Sequence, residues 1–185
     1  MKRWGLLAVF GVLMLGLMAA LATGFGKDTR AVPFLLKGKP APDFRLRTLD
    51  GKEEISLSQL RGKPVVINVW ASWCRPCRAD HPVVEWGQQQ YGADAQFLGL
   101  VFEDTEENAL AFLKEMGSSF PQLFDPQSSV AVDYGVAGVP ETYFIDAAGI
   151  IRDKHVGPLH RSVLVEQMRA LRQPALAANT PGAQP

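Results

Sequence analysis

Residues 64–77 constrain this chain more tightly than any other stretch. Pro64-Val65-Val66-Ile67-Asn68-Val69-Trp70-Ala71 is an almost unbroken apolar, β-branched run, the pattern of a central strand buried on both faces. Trp73-Cys74-Arg75-Pro76-Cys77 follows at once, opening a predicted helix over residues 74–91 in which Pro82 is expected to place a kink. These are the only two cysteines of the 185 residues. A multi-disulfide scaffold and a four-cysteine zinc site within one chain are both excluded.

The spacing and its context point to redox chemistry. A helix N-terminus presents unsatisfied N–H groups and about half a positive charge. A thiolate on Cys74 is stabilised there, with Arg75 and Arg78 adding positive charge nearby, which lowers its pKa towards the working pH. Cys77 lies one turn on, close enough to close a disulfide. The expected reaction is thiol–disulfide exchange: Cys74 attacks a substrate disulfide and Cys77 resolves the mixed disulfide. A purely structural disulfide across so short a loop would remove little chain entropy. Metal binding is the other alternative, because Cys74, Cys77 and His81, completed by His155 or His160, form a soft donor set suited to copper(I). The strand-to-helix context, the intervening proline and the flanking tryptophan suit redox better. The site is therefore expected to hold no metal and no cofactor other than the pair itself, and His81 is expected on the helix surface or in its N-terminal turn.

The rest of the chain alternates strand and helix signals. Phe44 and Leu46 alternate with Arg45 and Arg47 before a turn at Leu49-Asp50-Gly51-Lys52, which reads as a hairpin. Ser56-Leu57-Ser58-Gln59 has the capping-box pattern, with Gly62 ending the short helix. Residues 96–102 form a second buried strand, and Asp104-Thr105-Glu106-Glu107 opens a helix that aligns Ala109, Phe112, Leu113 and Met116. A short helix is expected over 128–134, strands over 141–146 and 150–156 about a turn at Ala147-Ala148-Gly149, and a last helix aligning Leu164, Met168 and Leu171. This order implies an α/β layer fold with a mixed sheet. Apolar residues make up 47% of the chain, enough for a core.

Lys2 and Arg3 precede 23 uncharged residues, 4–26. A helix of that length can cross a hydrocarbon core of roughly 30 Å, and the basic start favours a cytoplasmic N-terminus with the rest outside. The run is long for a cleaved signal peptide, although Ala20-Leu21-Ala22 offers a small-x-small site. The organisation expected is an anchor over 1–26, a linker over 27–38, a folded domain over 39–173 and a disordered tail over 174–185. Lys plus Arg equals Asp plus Glu, at 19 each, which argues against a nucleic-acid binder. The charge is segregated, however. Residues 79–151 carry 12 acidic side chains and a single basic one, Lys114. This segment is either a solvated face or a field that steers a basic partner.

Pro40-Ala41-Pro42-Asp43-Phe44, Asp50-Gly51-Lys52 and the stretch from Val66 through Trp73-Cys74-Arg75-Pro76-Cys77-Arg78 together resemble a membrane-anchored thioredoxin-like protein. Gly135-Val136-Ala137-Gly138-Val139-Pro140-Glu141-Thr142, followed by Gly149-Ile150-Ile151-Arg152, is narrower and resembles the cytochrome c biogenesis thiol:disulfide interchange family (CcmG/DsbE). Anchored thioredoxins of the TlpA and ResA type, one of which would serve assembly of the copper site of cytochrome oxidase, share parts of it. The resemblance implies a thioredoxin fold held at the inner membrane with its active site in the periplasm. It implies a reductase acting on disulfides of apocytochrome c or its haem-ligation partners, with electrons from a membrane thiol transporter of the DsbD or CcdA type. It assigns catalysis to Cys74 and Cys77 and substrate contact to Trp73, Val139, Pro140 and Glu141. It makes the Val139–Pro140 peptide cis and sets the backbone before it against an extended substrate segment, a form of strand addition. Glu141, next in the chain, is expected near the sulfurs, where it would face substrate or accept a proton. Asp80 and Glu85 are further acids on the active-site helix, expected to be solvated. Thioredoxin carries a buried aspartate where this chain has Asn68, which cannot take a proton. A peroxidase of the peroxiredoxin type would want threonine at position 71, which is Ala71 here.

Overall fold

The computed structural model describes residues 2–24 and 34–172. The chain divides into two units between Phe34 and Leu35. The first contains helix α1, Lys2–Gly24. Phe25 and Gly26, which end the predicted span, lie outside the described residues, as does the tail over 174–185. Among the described residues no helix is long and apolar enough to cross a membrane.

The second unit is built on a five-stranded sheet. Its strands are β3 (Val65–Trp70), β4 (Gln96–Val101), β5 (Gln122–Phe124), β6 (Glu141–Ile145) and β7 (Ile151–Val156), in the order β5-β4-β3-β6-β7. β4 runs parallel to β3 and β5 to β4, whereas β6 is antiparallel to both β3 and β7. The sheet is mixed, as the sequence predicts. β3 lies at its centre with all six residues buried. The helices are α2 (Arg75–Tyr91), α3 (Glu106–Met116), α4 (Ser129–Asp133) and α5 (Arg161–Arg172). Val66, Phe97 and Phe144 of the sheet pack with Val84 of α2 and with Leu164, Met168 and Leu171 of α5. Burying such side chains contributes roughly 1.5–3 kcal/mol each.

A small hairpin, β1 (Arg45–Arg47) and β2 (Glu54–Ser56), forms where the sequence predicts one. The capping box at Ser56 does not form. The segment is a 3₁₀ turn, Leu57–Leu60, and the Ser56 hydroxyl bonds Ser58 instead of a backbone N–H. β5 has no counterpart in the sequence reading, because three residues are too few to display a period.

The segment from Gly38 to the turn of the hairpin at Leu49 protects both edges of the sheet. Gly38 N–H donates to Ile151 O at 2.8 Å, and Ile151 N–H to Lys39 O at 3.0 Å. Farther on, Leu49 N–H donates to Gln122 O at 2.7 Å. Unpaired edges invite pairing with other chains, and one stretch of chain covers part of each here. Lys37 and Gly38, assigned to a linker by sequence, are thus fastened to β7, with Lys37 also paired to Asp153 at 2.9 Å.

Candidate active site

The end of β3 leads straight into the cysteine pair. Cys74 N–H donates to Ala71 O at 3.2 Å, closing a turn. Cys74 is the N-cap of α2, in an extended conformation, and its Sγ accepts the Cys77 N–H at 3.1 Å. Arg75 and Pro76 occupy the first turn, where a proline costs no hydrogen bond. Cys74 and Cys77 are joined as a disulfide. Both are buried, at 3% and 2% exposure, so burial does not rank the two sulfurs and position does. Cys74 stands at the positive end of the helix, and Cys77 is one turn inside it.

The cysteines pack with Leu49, Trp70, Ala71, Val101, Ala109 and Phe112, and Val139 joins this cluster from the loop before β6. The Val139–Pro140 peptide is cis, as the resemblance implies. Trp73 is 58% exposed and is the large aromatic that the site presents to solvent. The fold therefore gathers Trp73, Cys74, Cys77, Val139 and Pro140. Arg78 is engaged elsewhere. Its guanidinium makes a two-pronged pair with Glu115 at 2.7 and 2.9 Å and lies over the Phe112 ring. This raises the Arg78 pKa and lowers that of Glu115. The positive charge expected to favour a Cys74 thiolate is shared with that carboxylate.

Two acids depart from the sequence expectation. Asp80 is not solvated: it is 1% exposed. Its Oδ2 accepts from Asn68 Nδ2 at 2.9 Å, and its Oδ1 from the Leu159 N–H at 2.5 Å. Burial pushes its carboxyl pKa up, against the opposing pull of those two bonds and of His155 and His81. Asp80 follows Cys77 by three residues, so both lie on the inward face of α2. Asn68 also donates to Thr142 Oγ1 at 3.1 Å, which makes it a satisfied buried amide. Glu85, half-buried, accepts from Ser119 N–H at 3.1 Å.

Glu141 is equally buried, at 1%, but it alternates with Thr142 along β6 and so points to the opposite sheet face. Its Oε2 accepts from Tyr143 Oη at 2.7 Å and from Lys154 Nζ at 3.2 Å, and its Oε1 from Ala137 N–H at 3.3 Å. Burial, with Glu141 alongside, pushes the Tyr143 phenol well above its ordinary range. The carboxylate that the sequence reading sets towards substrate is directed into the protein, where it ties the loop before Pro140 to β7.

His81 is also buried rather than on the helix surface. Its Nε2 lies 2.7 Å from Gly117 O, and its ring meets Phe112 edge-on. No group of three or more His, Cys, Asp or Glu poised for a metal occurs among the described residues. The site residues that sequence reasoning missed are Tyr143, Thr142 and Lys154. Alternation about Glu141 flags Tyr143 as a same-face neighbour, but Lys154 reaches the carboxylate only through the β6–β7 register.

Residues 37–154 match the model of the AhpC/TSA family. The chain is 37% identical over 161 residues to the thiol:disulfide interchange protein DsbE of Allochromatium vinosum, covering 86% of this chain and 88% of that one. It is 41% identical over 146 residues to the thiol:disulfide interchange protein HelX of Rhodobacter capsulatus, covering 78% and 81%. A solved structure from Chlorobium tepidum, described as a thiol:disulfide interchange protein DsbE, superposes with a TM-score of 0.68 at 33% identity, covering 73% of this chain and 96% of that one. A buried Cys-x-x-Cys disulfide at a helix N-terminus, on this mixed sheet and beside a cis proline, accords with those likenesses. The chain belongs to the thioredoxin-like AhpC/TSA family and, within it, to the thiol:disulfide interchange proteins of the DsbE type.

Proposed function

We propose that this thiol–disulfide oxidoreductase reduces disulfides of apocytochrome c, or of the proteins that hold it for haem ligation, during cytochrome c maturation. The observation that carries the reading is the Cys74–Cys77 disulfide at the N-cap of α2. In the reduced protein Cys74 is the attacking thiolate. Its Sγ displaces one sulfur of the substrate disulfide, forming a mixed disulfide and releasing a thiolate that takes a proton. Cys77 then attacks Cys74 Sγ, releases the second substrate thiol and restores the protein disulfide. Two electrons pass to the substrate, and a membrane thiol transporter of the DsbD or CcdA type returns them. Asp80, a buried carboxyl with a raised pKa on the same helix face, takes the Cys77 proton. Trp73, Val139 and Pro140 form the walls against which an extended substrate segment lies.

Membrane attachment belongs to the same proposal. Its support is the sequence: Lys2 and Arg3 precede the uncharged run 4–26, the pattern of a cytoplasmic start followed by an anchor, which would hold the folded domain on the periplasmic side of the inner membrane. The reading is tested by replacing Cys77 with serine in the full chain, which leaves the mixed disulfide unresolved. Mass spectrometry of membrane extracts should find an apocytochrome c or a haem-ligation protein attached to Cys74. Trapping of unrelated periplasmic proteins in its place, or of nothing, overturns the proposal.

A further inference from the structure

We propose that Glu103 and Asp104, in the loop from β4 to α3, are positioning residues that hold Trp73 as a fixed wall for peptide substrates. The inference rests on the reading of Cys74 as the attacking sulfur. Two adjacent residues of the Cys74 turn are tied to two adjacent residues of this loop. Ser72 N–H donates to Asp104 Oδ2 at 2.6 Å. Trp73 Nε1–H donates to Glu103 O at 2.9 Å. The first bond ends on a carboxylate, the stronger kind.

The backbone is bent to make the second bond. Glu103 has φ of 45°, one of only two non-glycine residues among those described with positive φ. A side chain is disfavoured there, and such outliers persist where the surroundings over-determine them. The loop has a firm base. Asp104 Oδ1 accepts the Thr105 N–H at 2.8 Å, and the Thr105 side chain caps α3 by accepting the Asn108 N–H at 3.2 Å. Phe112 of α3 packs against Trp70, with ring centroids 4.6 Å apart, in the cluster that contains both cysteines. The clamp therefore joins the start of α3 to the residue before Cys74.

The consequence is selective. The indole N–H of Trp73 is used internally, so the exposed part of the ring is apolar, and its orientation is set before substrate arrives. Pre-organised contact surface saves ordering cost on binding. A peptide disulfide that lies along Trp73 gains from this, whereas a small disulfide that touches only the sulfur gains little. Glu103 and Asp104 thus act on peptide affinity through Trp73.

The test compares full-chain reduced protein with the variants Asp104→Ala, Asp104→Asn, Glu103→Gly and Trp73→Phe. Each is assayed against a disulfide-bonded apocytochrome c peptide and against dithiobisnitrobenzoate. Asp104→Ala is expected to raise the half-saturating peptide concentration about tenfold while changing the limiting rate little, the mark of lost uniform binding, and Trp73→Phe to weaken peptide use at least as much. Asp104→Asn, whose amide oxygen still accepts the Ser72 N–H, should recover most of the loss even if Asp104→Ala folds poorly. Glu103→Gly, free to leave the left-handed conformation, should weaken peptide use and not the reaction with the small disulfide. Equal slowing with both disulfides, or wild-type peptide use in all four variants, overturns the clamp. Loss of all exchange in Cys77→Ala but not Cys74→Ala would instead overturn the assignment of the attacking sulfur, a separate outcome.

Discussion

Asp80 and Glu141 are two carboxyls buried to the same degree on opposite faces of one sheet, and their surroundings set them to different tasks. Asp80 has an amide and a backbone N–H as hydrogen-bond donors, and burial raises its pKa. Glu141 has a phenol, a backbone N–H and the ammonium of Lys154. Neutral donors stabilise a buried anion less than a bonded cation does. Asp80 is thus a buried carboxyl on the cysteine side of the sheet whose pKa burial pushes up, while Glu141, bonded to Lys154 and to the Ala137 N–H, fastens the loop before Pro140. Burial of an acid beside a redox site does not by itself make a proton acceptor. The partners decide.

The sharpest way to break this contrast is Asp80→Asn. Loss of a general base typically costs 10²–10⁴-fold, and exchange at neutral pH should fall about 100-fold, at the lower end of that range. Stability should respond in the opposite sense. A carboxyl whose folded pKa is raised stabilises the fold below its unfolded value, ordinarily 3.8, and that contribution is lost as pH rises through the folded value. Near neutral pH the asparagine variant should therefore melt no lower than the parent, and Asn68 can turn its amide to accept from the new side chain. Thermal melts from pH 3 to 8 beside stopped-flow exchange check both halves. A wild-type rate would reduce Asp80 to a buried polar residue.

Glu141→Gln should do the reverse. It leaves the Lys154 ammonium without its carboxylate, a change that costs several kcal/mol when the charge is wholly enclosed. Lys154 retains 12% exposure and the Gly135 carbonyl within reach, so a loss of about 2 kcal/mol is expected. Urea titration measures it. Exchange by the folded fraction should stay within about threefold of wild type, because the carboxylate serves the loop rather than the sulfurs. Replacing both partners, as Glu141→Leu with Lys154→Met, should recover much of the stability, since apolar replacement of a buried pair is often neutral. A hundredfold fall in exchange for Glu141→Gln at unchanged stability would exchange the two roles.

The smallest effect separates Glu141 from the rest of the acidic segment. If the exposed carboxylates of residues 79–151 steer a basic partner, exchange should slow a few-fold as salt rises from low to physiological strength, where exposed charges are screened over about 8 Å. A buried, paired Glu141 adds little to that field, so Glu141→Gln should show the same salt slope as the parent. A flat wild-type rate marks the segment as a solvated face, and a changed slope in the variant places Glu141 at the docking surface.

Much of this was legible in the order of residues. The β-branched run at 65–70, the helix behind Cys74, the 141–156 hairpin and the apolar stripe of α5 are local patterns, and each sits where its period put it. Cys74 and Cys77 were legible because their chemistry depends on spacing and on a helix start, both local. Asp80 and His81 read as solvated, and Glu141 as facing substrate, for one reason: the partners that enclose a polar side chain are not visible among its neighbours along the chain. The Asn68, Thr142 and Leu159 groups that accompany Asp80 inside, and the Tyr143 and Lys154 that enclose Glu141, come from other elements. The redox pair, the central strand of the sheet and the reaction class are locally encoded, since they follow from periodicity and from bonding between near neighbours. What surrounds each buried acid is settled by tertiary packing, because the donors and charges that come within hydrogen-bond distance belong to elements far apart in the chain.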